Sequence, residues 1–176
     1  MANDFLKQQY ILTDFTVFVD GKGKIGTCPG FQPPNVKLQT EEFRGGGMDV
    51  TVEIPFGIEK MEFEFDLHTW DQQIFQSMGY GAGSLSCPIS FKGYLVTPEK
   101  TDGSVEIKTK SLIKEIKPSK IQVGKKTELT VHCVAHTYQH FINGRETEYV
   151  SAFDKVYKIM GVDQLESARN LLDFGL

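Results

Sequence analysis

Along Lys60 to His68, apolar Met61, Phe63, Phe65 and Leu67 alternate with Glu62, Glu64, Asp66 and His68. A period of two sends successive side chains to opposite faces, so the segment predicts a strand with one apolar face. Asp49 to Ile54 alternates likewise, Val50, Val52 and Ile54 opposing Asp49, Thr51 and Glu53, and the Pro-Phe-Gly beyond it reads as a break. These two segments are expected to pair as a hairpin. Upstream, Phe15 to Val19 and Lys24 to Cys28 flank an Asp-Gly turn signal, which predicts a first hairpin. Downstream, Ser86 to Val96 and Ser104 to Ile116 predict a meander closed by Pro118.

The last hairpin is the longest, with arms at Thr127 to Phe141 and Glu146 to Met160 around Asn143-Gly144, the favoured pair for a two-residue turn. On its first arm Leu129, Val131, Cys133 and Ala135 share one face, expected to be core. Glu128, Thr130, His132, His136, Tyr138 and His140 share the other, expected to be wet or to meet a partner. The period changes twice. Trp70, Ile74, Phe75 and Met78 mark a short helix capped by Thr69 or Asp71, with Trp70 expected in the core, and Asp163 to Leu172 reads as a second helix capped by Asp163. Upstream of both lies Pro29 to Met48, whose Pro33-Pro34 and Gly45-Gly46-Gly47 make it too irregular for a core strand over most of its length. A loop this long in a compact domain predicts a functional or assembly role.

Composition supports one mainly β, antiparallel domain over residues 1–176. The chain has 176 residues, 40% of them hydrophobic, with 17 glycines and 13 phenylalanines. A net charge of -4 argues against a protein built to grip phosphate backbones. The three cysteines, Cys28, Cys87 and Cys133, are widely spaced and predict reduced, partly buried thiols. With no long apolar run and no signal-like start, folding is expected in the cytoplasm, with no membrane partner.

The chemical signals dissolve in their contexts. His132, His136 and His140 would be about 13 Å apart in succession on a strand, too far to share an ion. Gly79 to Ser84 follows a helix instead of opening one, and Gly124 to Thr127 lacks the upstream glycine of a phosphate loop. Cys133 and His132 fall on opposite faces, unfit as nucleophile and base. Glu62, Glu64 and Asp66 need no catalytic role on an exposed strand face. No catalytic, cofactor or metal site is expected, so the chain is not read as an enzyme.

In order along the chain stand DFTVFVDGKGKIG, FRGGGMDVTVEI, FDLHTWDQQIFQSMG, FINGRETEYVSAFDKVYKIMGVD and ARNLLDFGL. Together they resemble the major tail tube proteins of phages with contractile tails, over nearly the whole chain. The most specific parts are Phe43 to Met48, the Gly161-Val162-Asp163 turn and the terminal helix ending at Gly175-Leu176. The chain departs in a longer segment after Arg169 and in Pro33-Pro34.

The resemblance implies an antiparallel β-sandwich or barrel with a flanking short helix and a short C-terminal helix. It further implies hexameric rings stacked into a hollow tube inside a tail sheath, with a baseplate initiator and a terminator at the ends. DNA would pass without specific binding, and the location would be the virion tail. Related tubes belong to phage-tail-like bacteriocins and secretion systems, and a monomeric β-sandwich binding module is the competing class.

On this resemblance Phe31, Phe43, Arg44, Gly45, Gly46, Gly47, Met48 and Leu176 are candidate contacts between subunits or rings. Glu62, Glu64 and Asp66 are candidates for the lumen lining, with the outer surface as the alternative. Cys28 is a candidate for an intersubunit disulfide.

Overall fold

A computed structural model describes residues 10–79, 81, 83–98 and 102–172. In chain order the strands are β1 (Ile11–Val19), β2 (Lys22–Gly23), β3 (Phe31–Gln32), β4 (Leu38–Phe43), β5 (Val52–Ile58), β6 (Met61–Leu67), β7 (Cys87–Val96), β8 (Asp102–Pro118), β9 (Leu129–Ile142), β10 (Arg145–Ser151), β11 (Val156–Ile159) and β12 (Val162–Asp163). Helix α1 (Gln72–Ser77) lies between β6 and β7, and α2 (Glu166–Leu171) follows β12. The main sheet runs β12-β11-β10-β9-β8-β7-β1-β2, with β6 on β9 and β3 on β6, and β4 and β5 form a separate pair.

Its spine is the antiparallel pair β8 and β9. One edge of β9 is shared, since Leu129 to Ala135 pairs with β6 and Thr137 to Ile142 with β10. At the changeover His136 is an extra residue, because Thr137 faces Lys110 and Ala135 faces Ser111; Lys114 is likewise extra in β8. Bulges bend and twist the strands that carry them. The two halves of the sheet therefore close on each other, and Phe31 of β3 stacks on Phe91 of β7 with ring centroids 4.8 Å apart. Val17, Val19, Phe65, Leu67, Ile89, Ile113, Leu129 and Val131 fill the space between. The result is the mainly β, antiparallel architecture expected of the sequence.

The His136 bulge overturns one facing. Leu129, Val131, Cys133 and Ala135 point inward as expected, but the extra residue shifts the phase by one, and Tyr138 turns into the core instead of the wet side. The second arm of this hairpin is also not one strand. It breaks after Ser151, reverses through Lys155 at φ 51, and returns as β11.

Strand pairing differs from expectation at β5. It pairs with β4, inside the stretch read as irregular, from Leu38↔Ile58 to Phe43↔Val52, not with β6. Pro55 is tolerated within β5 because the pair is an isolated ribbon with a register shift opposite it, between Gln39 and Thr40. β6 takes the better offer, a seven-residue ladder on β9 that buries all four of its apolar residues.

In the first hairpin Asp20 and Gly21 both have positive φ, as the turn requires, but the return strand stops at Gly23. The Lys24 N–H still donates to the Val17 carbonyl at 2.7 Å, and the chain then turns where the Thr27 N–H donates to the Lys24 carbonyl. The buried Lys24 ammonium pairs with Asp71 and donates to Gln73 Oε1 at 2.9 Å. Asp71 caps α1 by accepting from the Gln73 N–H, and Gln73 reaches back to the Val19 carbonyl, pinning the helix to β1. Six helical residues cover too little to bury four apolar groups. Ile74 alone is buried, while Trp70 and Phe75 stay exposed, a correction to the expected core Trp70. Asp163 sits in β12, two residues ahead of the cap position; it accepts from the Leu165 N–H and pairs with Arg169.

Candidate functional site

The β4–β5 hairpin is the most unusual surface. Every residue of β4 is exposed, and so is every residue of β5 except Ile58. Val52, Ile54 and Phe56 are apolar yet 46–61% exposed. A two-stranded ribbon is marginal in water by itself, and contiguous exposed apolar groups mark an interaction surface. Its tip is built by Phe43 to Met48. Arg44 Nε donates to the Met48 carbonyl at 3.1 Å, and the Met48 N–H donates to the Gly45 carbonyl at 3.2 Å. Gly47 holds φ 86, which a side chain would strain.

The structure therefore gathers Phe43, Arg44, Gly45, Gly46, Gly47 and Met48 at one tip. It removes Phe31 from the set, because that ring lies in the aromatic core beside Phe63 and Phe91. Leu176 lies outside the described residues. Cys28 also turns inward: its thiol donates to the Gly30 carbonyl at 3.3 Å, and burial pushes its pKa up to about 11. A protonated, half-buried thiol is a poor candidate for an intersubunit disulfide.

Glu62, Glu64 and Asp66 do share the outward face of β6, and each is tied to a neighbour. Glu62 accepts from Lys60 and Lys114, at 2.8 and 3.3 Å, and these bonds hold its carboxyl below the usual range. Glu64 lies 3.0 Å from His132 Nδ1, and Asp66 accepts from Thr130 Oγ1 at 2.7 Å. Between them is a shallow polar depression of about 320 Å³ lined by Gln32, Glu62, Glu64, Lys114, Glu115 and His132.

The outward face of the other half-sheet carries a second paired set that alternation alone did not reveal. Lys92 and Lys108 both reach Glu106, at 3.3 and 3.1 Å. Burial raises the Glu106 carboxyl, but the two ammonium groups outweigh it and hold the group low. Lys108 lies 4.8 Å over the Phe141 ring and Lys158 lies 5.8 Å over Tyr149. The β7–β8–β9 register brings Lys92, Glu106, Lys108 and Phe141 together, and the β10–β11 register sets Lys158 opposite Tyr149.

The three strand histidines go separate ways. His132 meets Glu64, His136 packs 5.3 Å from the Phe153 ring, and His140 Nδ1 lies 2.9 Å from Thr147 Oγ1. Burial lowers the His140 pKa. Among the described residues no three potential ligands converge on a metal-sized site.

The sequence profile of phage tail tube protein FII matches residues 9–172. The chain belongs to the phage tail tube protein FII family. This bears out the resemblance carried by its motifs. The tail tube protein of Escherichia phage P2 is 23% identical over 156 residues, covering 87% of this chain and 91% of that one. The major tail tube protein of Serratia phage KSP20 is 40% identical over 45 residues, 26% of each chain. Among solved structures, a chain of the extracellular contractile injection system PVC sheath–tube complex in the extended state matches with a TM-score of 0.57. It is 10% identical and covers 80% of this chain and 98% of that chain. A chain of the anti-feeding prophage tube-terminating cap matches with a TM-score of 0.58, at 10% identity, over 76% of this chain and 92% of that chain. These likenesses establish a shared fold. The tail tube family is structural, and the chain is a tail tube protein, not an enzyme.

Proposed function

We propose that this tail tube protein closes into hexameric rings that stack into the hollow inner tube of a contractile tail, the conduit for DNA. One observation carries the stacking: an isolated hairpin with apolar groups exposed on a tip and stem that the chain's own core leaves uncovered. A protein that assembles from the cytoplasm into a tail would expose such a surface only to cover it with another copy. Phe43 to Met48 then reach the next ring, and a sheath, a baseplate initiator and a terminator are the partners.

Glu62, Glu64 and Asp66 suit the lumen. Their cations are already held by carboxylates, so the face offers phosphates few counterion-releasing contacts and little friction. The binding-module reading has less support, since Trp70 lies exposed just ahead of α1, beside Phe75, and not in an aromatic cleft.

Negative-stain microscopy of concentrated protein, beside a sizing column, tests the proposal. Rings or hollow rods of uniform bore are expected. A monomer at every concentration, unchanged by added baseplate initiator, would sink it.

A further inference from the structure

We propose that the β4–β5 hairpin of one copy seats on the opposite pole of the next copy, a basic and apolar surface made by α1 and the 119–128 loop. The inference rests on the tube reading and names the receiving surface within it.

The two surfaces hang from opposite ends of one strand. β3 runs antiparallel to β6, so the chain leaves Gln32 toward the Met61 end, and the hairpin base is closed there by Lys37 and Glu59 at 2.7 Å. At the other end Leu67 pairs with Leu129, and Thr127 Oγ1 donates to the His68 carbonyl, which sets the 119–128 loop beside the start of α1. Seven strand residues separate the two by about 20 Å at roughly 3.3 Å per residue. A head-to-tail stack requires two different, complementary patches on each copy, displaced along the stacking direction. The hairpin and the α1 pole meet that requirement along β6.

Charge and polarity also match. The hairpin carries Glu41, Glu42, Asp49 and Glu53 against Arg44. The pole carries Lys117, Lys120, Lys125 and Lys126, all exposed, against Glu128. The same pole exposes Trp70, Phe75 and Met78 around α1 and Ile121 and Val123 in the loop, meeting the need of Val52, Ile54 and Phe56 for cover. Opposite charge around an apolar centre fixes partner and register together. The far end of β1 and β7 also exposes apolar groups, Tyr10, Leu12 and Tyr94, but its nearby charges include Asp14 and Asp102, which would repel an acidic hairpin.

The test is disulfide trapping in assembled tubes carrying Val52→Cys with Val123→Cys. The two positions lie too far apart within one chain to bridge, so oxidation should give a ladder of linked chains on a non-reducing gel. Val52→Cys with Tyr94→Cys should stay monomeric. In parallel, Glu41→Lys, Glu42→Lys and Glu53→Lys together should cut sedimentable tube about 10-fold or more, and added Lys120→Glu, Lys125→Glu and Lys126→Glu should restore it. Tubes that form but link through Tyr94, or that show no ladder and no charge rescue, would overturn the receiving surface while leaving the tube standing. Absence of rings and tubes from the unmodified protein would instead remove the tube reading.

Discussion

β5 and β6 are neighbours in the chain and alternate in the same way, yet they end in opposite environments. Phe65 of β6 is 1% exposed and Phe56 of β5 is 61% exposed. Alternation declares that a strand has an apolar face; it does not declare which molecule will cover it. β6 is covered by its own chain because β9 offers a full ladder, while β5 has only β4, itself bare on both sides.

The contrast is sharpest in paired truncations. Phe65→Ala should cost the monomer about 3–5 kcal/mol, read as a urea midpoint shift, because it opens a cavity in a closed core. Phe56→Ala should move that midpoint by less than about 0.5 kcal/mol and yet deplete tubes in a pelleting assay. Equal effects of the two on the monomer would erase the distinction.

Gly93→Ala probes the covered half. An added Cβ would lie 2.6 Å from Leu12 Cδ1 and 2.8 Å from Val105 Cγ1, so a loss of about 1–3 kcal/mol is expected in thermal melts.

Smaller again is Asp71→Ala, which removes the α1 cap and the partner of buried Lys24; about 1–2 kcal/mol should be lost. Burial raises the Asp71 pKa, but the hydrogen bonds from Lys24 and the Gln73 N–H prevail and lower it. A depressed carboxyl stabilises the fold above its unfolded pKa of about 3.9, and that share disappears as pH falls through the lower folded value. Melts between pH 6 and pH 2 should therefore show an acid loss that Asp71→Asn blunts.

The faintest expected signal is thiol labelling of Cys28 at pH 8. A pKa of about 11 leaves it about 100-fold less thiolate than one at 9, so modification should be slow until the chain unfolds.

Local features were legible where local physics decides them. The Asp20-Gly21 and Asn143-Gly144 turns follow from which residues accept positive φ, and the β6 strand and its inward face follow from a period of two. What escaped depended on partners distant in sequence. β4 was hidden among prolines and glycines because nothing in it alternates strongly enough to announce a strand without β5 beside it. Tyr138 was misfaced because a bulge has no signature until β8 is laid against β9. The Phe43 to Met48 tip was readable from its glycines, but Phe31 and Cys28, in the same long segment, were claimed by the core. The Lys92–Glu106–Lys108 set spans two strands and needed the register.

The placement of the hairpin and α1 at opposite ends of β6 has a mechanical side. A force drawing one away from the other runs along the strand, at right angles to the hydrogen bonds that tie β6 to β9. Under that load the ladder is sheared, with its bonds strained together, instead of being peeled open one pair at a time. A subunit built this way is stiffest along the line on which the hairpin and the α1 pole lie, and softest across it.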